Sequence, residues 1–214
     1  MMLSRGLFIT FEGGEGAGKT TLIERMVEKL RSEGMAVVKT REPGGTHLGE
    51  RVRNLLLEPC PVAVSPYAEL CLFLASRAQH IEEVIRPALE QKKVVLCDRF
   101  NDSTIAYQGM ARGLGMKEVA HFCDFICQGV QPHLTFYLDI DPSIGLKRAE
   151  SRGSAQDRIE SEKIAFHQKI RETYHKLYQQ QPDRLHLLDA QKPALDVFHQ
   201  AMSYLEQYLQ KAHV

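Results

Sequence analysis

One octapeptide constrains this chain more than any other feature, because of what stands on either side of it. Gly13-Gly14-Glu15-Gly16-Ala17-Gly18-Lys19-Thr20 has the spacing G-x-x-x-x-G-K-[ST]. Before it runs Leu7-Phe8-Ile9-Thr10-Phe11, short and apolar enough for a buried strand. After it Leu22, Ile23, Met26, Val27 and Leu30 recur at helical spacing until Gly34. A strand that feeds a glycine-rich loop into a helix N-terminus turns successive backbone N–H groups inward and adds the partial positive charge of the helix end, so the unit is an anion cradle. Lys19 is expected to reach the β- and γ-phosphates of a nucleoside triphosphate, and the Thr20 hydroxyl to bind Mg²⁺.

The same alternation continues along the chain. Ala36-Val37-Val38, Val94-Val95-Leu96-Cys97, Leu134-Thr135-Phe136-Tyr137-Leu138 and Leu185-His186-Leu187-Leu188 read as four more strands. Helical patterns cover roughly Pro66 to Leu89, Met116 to Cys127, Ile159 to Gln180 and Ala194 to Lys211. Continuously apolar strands joined by connections long enough for crossover helices predict an α/β fold, doubly wound, with a parallel sheet covered on both faces. Glu42 to Thr46, Pro59 to Pro66, Gly109 to Gly115 and Ser151 to Asp157 read as irregular, the glycine-rich ones as mobile loops rather than boundaries. With 214 residues, 43% hydrophobic and 25% charged, the chain fits a single domain over 1–214.

Charge and cysteine content narrow the partners. Lys and Arg number 27, as do Asp and Glu, and a non-specific nucleic-acid binder would carry a basic excess. The five cysteines, Cys60, Cys71, Cys97, Cys123 and Cys127, are odd in number and contain no C-x-x-C pair, which fits reduced thiols in a cytoplasmic protein better than disulfides or a zinc site. The apolar run Leu7 to Phe11 is too short for a signal-peptide core or a membrane span.

A phosphate cradle alone does not name the second substrate. No N-K-x-D-like guanine reader follows the fifth strand, where the chain runs Asp189-Ala190-Gln191-Lys192-Pro193. The third strand, by contrast, ends on Asp98-Arg99, an acid and a base delivered to the carboxyl edge where ligands of open α/β sheets collect. This placement suits Asp98 to Mg²⁺ or its water shell and Arg99 to a phosphoryl group, in preference to a surface ion pair.

Five segments in register carry a family resemblance: the loop Gly13 to Thr20, Arg41-Glu42-Pro43-Gly44-Gly45-Thr46, Phe73-Leu74-Ala75-Ser76-Arg77, Asp98-Arg99-Phe100 and Ala106-Tyr107-Gln108-Gly109. In order and spacing the chain resembles the thymidylate kinases of bacteria over essentially its whole length. The resemblance implies a P-loop nucleoside monophosphate kinase fold with a five-stranded parallel sheet. It also implies transfer of a phosphoryl group from MgATP to dTMP, giving dTDP, a step in dTTP supply for DNA synthesis.

Residue by residue, it sets the thymine ring against Phe73 and gives Arg77 a hydrogen bond to a base carbonyl; four apart on a helix, the two share one face. Thr104 and Gln108 match positions at the base's polar edge, and Tyr107 the ring that lies on the deoxyribose and disfavours a 2′-hydroxyl. Glu15 matches the carboxylate that meets the 3′-hydroxyl. Glu42-Pro43-Gly44-Gly45 resembles the loop beside the acceptor, with Arg41 or Arg53 near the monophosphate.

Some relatives carry a catalytic Arg within the cradle, where this chain has Gly16, so the cation is expected from a lid at about 147–158. Arg152 is the first choice for the transferred phosphoryl group, Arg148 for packing near adenine or the triphosphate, and Arg158 for either role. Glu150 stands where some relatives have a further Arg. The family tends to form homodimers, and Tyr67 to Leu74 offers an apolar helical surface for one.

Overall fold

A computed structural model describes residues 4–58, 62–151 and 157–212. Five strands, β1 (Leu7–Glu12), β2 (Val37–Arg41), β3 (Val94–Asp98), β4 (Leu134–Asp139) and β5 (Leu185–Asp189), form one sheet in the order β2-β3-β1-β4-β5. Every pairing is parallel, with Leu7 opposite Val94, Ile9 opposite Leu134, Val37 opposite Val94 and Thr135 opposite Leu185. The sheet is the expected one. Each strand, however, runs to a charged residue: Glu12, Arg41, Asp98, Asp139 and Asp189. Apolar pattern ends one to three residues before the ladder does, because the carboxyl edge is where the sheet meets the cleft.

Alternate strand residues face opposite layers. Leu7, Ile9, Phe11, Leu96 and Phe136 pack with Leu22, Ile23 and Met26 of α1 (Lys19–Ser32) and with Val197, Ala201 and Leu205 of α9 (Ala194–Ala212). On the other face, Tyr137 and Leu185 join a cluster with Leu70 and Leu74 of α3 (Pro66–His80), Val119 and Cys123 of α6 (Met116–Cys127), and Ile170 and Tyr174 of α8 (Ile164–Gln180). Phe8 and Val95 pack on that same side against Ile81, Ile85 and Cys127.

Three helical stretches lie outside the expected helices, although the first, α2 (His47–Leu57), carries Leu48, Val52, Leu55 and Leu56 at helical spacing. In α2 only Gly49, Val52 and Leu56 are buried, and its start is fixed by the Thr46 hydroxyl accepting from Gly49 N–H. Pro142 opens α7 (Pro142–Glu150) behind the N-cap Asp141, whose carboxylate accepts from Ser143 N–H. The short α5 (Asn101–Thr104) continues through a wider π-helical turn, Ile105–Ala111, so the glycine that suggested a loop, Gly109, is helical. A second π-helical turn, Ile81–Ile85, joins α3 to α4 (Arg86–Glu90) within the single predicted helix. The helix expected from Ile159 begins only at Ile164, after turns at 158–162.

Candidate active site

The carboxyl edges of β1, β2 and β3 open into a cavity of about 640 Å³, with the cradle on one wall and α3, the 105–111 turn and residues 157–160 on the others. In the cradle, Lys19 lies folded back, its Nζ donating to the carbonyls of Gly13 (3.1 Å) and Gly14 (3.0 Å). Burial, and then Arg99 beside it, draw its pKa below that of an ordinary lysine. Gly16 has φ +67, and a Cβ there would collide with the carbonyl of Gly145 on α7. The backbones of the cradle and α7 therefore touch, and no side chain fits at position 16.

Arg99 occupies the centre. Its φ of +70 is left-handed, unusual for a side chain this large, and two hydrogen bonds hold the turn: Arg99 N–H to Phe11 O at 2.9 Å and Phe100 N–H to Glu12 Oε1 at 2.8 Å. The guanidinium donates to Gly13 O (3.0 Å), Ser103 Oγ (3.3 Å) and Glu15 Oε1 (2.5 Å), and lies 5.0 Å from the Tyr107 ring centre. Glu15 also accepts from the Tyr107 hydroxyl at 3.1 Å. Burial would raise the Glu15 carboxyl, but Arg99 and Lys19 bring it down to about 2. The two residues assigned by resemblance to the sugar are thus in contact. Asp98 lines the same cavity, and its Oδ1 is buried without a hydrogen-bond partner among the described residues.

Farther in, Arg77 is buried (1% exposed) and donates from Nε to Glu42 Oε2 (2.7 Å) and from Nη2 to Thr104 Oγ1 (2.9 Å). Half-buried Phe73 and buried Tyr107 and Gln108 complete this end of the cavity. Gln108 donates to Glu69 Oε1 at 2.8 Å. Consecutive residues rarely share a wall; the π-helical turn brings Tyr107 and Gln108 to the same one. At the mouth, Arg53 donates to Pro43 O at 3.0 Å and Arg41 pairs with Glu50 at 2.9 Å.

All the residues Gly16, Ala17, Gly18, Lys19, Thr20, Glu15, Glu42, Phe73, Arg77, Asp98, Arg99, Thr104, Tyr107 and Gln108 line this one cavity. The lid arginines do not gather there. Arg152 lies outside the described residues. Arg148 is exposed and donates to Ala190 O at 2.9 Å, beyond β5. Arg158 does not line the cavity; it donates to Leu56 O (2.8 Å) and to Glu69 Oε2 (2.6 Å), a carboxylate also gripped by Arg112 at 3.1 Å. It sits in a partly buried ion cluster, so the structure does not bring it to the cradle. Sequence reading missed Asp157 and Glu160, which line the cavity from the far side, and Ser103 and Glu12 beneath Arg99. In Asp157-Arg158-Ile159-Glu160 the residue types alone do not tell which side chains face the cavity, and it is the two acids that do.

The Thymidylate kinase family model matches residues 11–201. The thymidylate kinase of Protochlamydia amoebophila is 50% identical over 210 residues, covering 95% of this chain and 93% of that protein. That of Deinococcus radiodurans is 48% identical over 191 residues, covering 89% and 92%. The crystal structure of thymidylate kinase from Ehrlichia chaffeensis superposes with a TM-score of 0.75 at 35% identity, covering 94% of this chain and 98% of that one. Matched along nearly its full length by sequence and by fold, the chain belongs to the thymidylate kinase family.

Proposed function

We propose that this chain works as one kinase domain over residues 1–214, with cradle and acceptor pocket on opposite walls of a single cavity. It phosphorylates dTMP to dTDP with ATP as donor, a step that supplies dTTP for DNA synthesis. The observation that carries the assignment of residues is Arg99, which reaches from the strand end to the cradle backbone and to Glu15, where the two substrates must meet. The backbone N–H groups of Gly13 to Thr20 bind the triphosphate, and Lys19, released from the Gly13 and Gly14 carbonyls, follows its β- and γ-phosphates. Arg99 holds the dTMP phosphate so that one of its oxygens attacks the γ-phosphorus in line, and the bond from that phosphorus to the β–γ bridging oxygen breaks, leaving ADP. Arg148 lies toward the adenine, and Arg152 supplies the cation that meets charge on the transferred group.

At the acceptor, thymine lies on Phe73, with Arg77, Thr104 and Gln108 toward its polar edge. Glu15 accepts from the 3′-hydroxyl, and Tyr107, whose hydroxyl already reaches that carboxylate, closes the space a 2′-hydroxyl would need. Glu42 acts from beneath, through Arg77.

The donor set suits Mg²⁺ that arrives with the nucleotide. A buried, unpartnered Asp98 oxygen and the exposed Thr20 hydroxyl share the cavity, while no cluster of three ligating side chains occurs among the described residues. When bound, the ion would neutralise phosphate charge. No helix among the described residues is long and apolar enough to cross a membrane. A cytoplasmic location suits the four described cysteines, which are free thiols, and no nucleic-acid partner is needed. A homodimer is supported by exposed Tyr67 on α3 and Phe122 and Phe125 on α6. Leu70 and Leu74, offered by sequence as part of that surface, are instead core.

The test is a panel of dTMP, dUMP, dCMP and dAMP offered with MgATP, with diphosphate product measured and the mass of the same sample taken by light scattering. Turnover of dTMP above the others, at a mass twice 24.3 kDa, is the expected result. Equal turnover of all four would remove the base assignment, and a mass of one chain the dimer.

A further inference from the structure

Behind the base end of the cavity runs a buried chain of polar groups that no substrate contact accounts for. The imidazole of His80, the last residue of α3, is fully buried. Its Nδ1 lies 2.8 Å from Glu42 Oε1, and its Nε2 lies 2.6 Å from the Thr40 hydroxyl on β2. Glu42 is 4% exposed, and its other oxygen accepts from Arg77 Nε. Glu42 Oε1 needs a donor and Thr40 has one hydroxyl proton to give. One neutral tautomer satisfies both: Nδ1–H donates to Glu42 and Nε2 accepts from Thr40. Gly45 has φ +77, and a Cβ there would come within 2.8 Å of the imidazole, so the acceptor loop is pressed onto His80.

We infer that His80 is a positioning residue for base recognition: it fixes the rotation of the Glu42 carboxylate, and Glu42 in turn fixes the guanidinium plane of Arg77. The geometry leaves Arg77 little else to do. Its Nε is held by Glu42, one N–H of Nη2 by Thr104, and Nη1 approaches Cys123 Sγ at 3.5 Å, while the Phe100 ring lies 4.8 Å from the guanidinium carbon. Each terminal nitrogen still carries a second N–H, and Arg77 lines the cavity. A guanidinium clamped at Nε and on its face presents those donors at a fixed angle. That favours a base with a carbonyl at the pyrimidine 4-position over one with an amino group there, since the amino group would meet a donor with a donor. Without the imidazole, Glu42 would be free to turn about its terminal torsion, and the guanidinium would follow it. The inference rests on the proposed contact between Arg77 and the base.

The test uses the discrimination ratio, kcat/KM for dTMP over kcat/KM for a competing monophosphate, in the full chain. dUMP shares the 4-carbonyl and lacks only the methyl group; dCMP replaces the carbonyl by an amine. His80→Leu removes both hydrogen bonds at similar volume, while His80→Asn keeps a donor where Nδ1 stood. The expected result is that His80→Leu lowers the dTMP/dCMP ratio by about tenfold, leaves the dTMP/dUMP ratio within about twofold of the parent, leaves KM for ATP unchanged, and is largely rescued in His80→Asn. If both ratios fall together, or if thermal stability falls while neither ratio moves, His80 is only a packing residue and the inference is overturned. Should His80→Leu fail to fold, Thr40→Val, which removes only the hydroxyl that fixes the tautomer, must shift the dTMP/dCMP ratio in the same direction; no shift overturns the inference. A parent enzyme that does not prefer dTMP to dCMP would instead sink the base contact itself, so the two failures are distinguishable.

Discussion

Glu12, the last residue of β1, is a fully buried carboxylate beneath the turn that carries Arg99. It accepts from Phe100 N–H, from the Ser103 hydroxyl at 2.5 Å and from the Tyr174 hydroxyl at 3.0 Å, and thereby holds the turn that carries Arg99. Burial, and after it the nearby Asp102, raise its pKa from an ordinary 4.5 to about 7, against the opposing pull of its hydrogen bonds and Arg99. In the unfolded chain the group ionises at its ordinary value, so between about 4.5 and 7 the folded protein keeps a proton that the unfolded chain has released. Stability therefore falls as pH rises through that window, by up to ~1.4 kcal/mol per pH unit from this one group, and levels off above it. Carboxylates whose pKa is lowered, Glu15, Glu42 and Glu69 among them, act the opposite way and at lower pH, where protonation removes their contribution. Glu12→Gln should abolish the decline. Urea unfolding of both proteins from pH 5 to 8 measures it: the stability of the parent relative to the variant should drop from pH 5 to 7 and then stay flat. A constant difference would mean that Glu12 ionises normally and that its burial is compensated elsewhere.

Among the elements, the lid is where sequence and structure part. Arg158 lies in a cluster with Arg112, Glu162 and the buried Glu69 that ties the turn starting at residue 158 to α3, to the end of the 105–111 turn and to the last carbonyls of α2. A cation held this way is a structural clasp. Arg158→Ala should cost about 1–2 kcal/mol of stability, since Glu69 keeps Arg112 and Gln108, with kcat little changed. Arg152→Ala should instead lower kcat by about a hundredfold or more with ATP binding nearly intact. Steady-state kinetics with nucleotide titration separates them, and equal losses of kcat would return Arg158 to the reaction. The same comparison explains what the sequence could disclose. Strands β1, β3, β4 and β5 and helices α1, α6 and α9 were legible because their burial is one-sided or nearly complete and so leaves a period, whereas β2, with no fully buried residue, shows only as the pair Val37-Val38. Also legible were the cradle and the residues at the end of β3, since a motif and a strand end fix position along the chain. Helix α2, which carries Leu48, Val52, Leu55 and Leu56 at helical spacing, was legible but unread; α7 was not legible, because its start rests on a cap rather than on an apolar stripe. Nor was the fate of Arg158: an arginine two residues from a cavity-lining glutamate can face either way, and only the buried Glu69, 89 residues away along the chain, decides which.

At the scale of the whole molecule acids and bases are equal in number, and the cleft repeats that balance. In the cavity Lys19, Lys39, Arg41, Arg53, Arg77 and Arg99 share a wall with Glu15, Glu42, Glu50, Asp98, Asp157 and Glu160. Its cations are already engaged, Arg77 by Glu42, Arg99 by Glu15 and Arg41 by Glu50. Pre-pairing offsets the repulsion between neighbouring arginines and fixes their direction before a phosphate arrives, but it also cancels the long-range field that would draw an anion in. Phosphate groups are then captured at contact distance, where mobile ions screen weakly. It follows that kcat/KM for dTMP, measured at saturating MgATP, should change by less than about threefold between 50 and 200 mM added salt. A fall of about tenfold or more would mean that the working cleft carries a net positive field, which the described residues do not supply, and would place its source in Arg152 or in the bound metal ion.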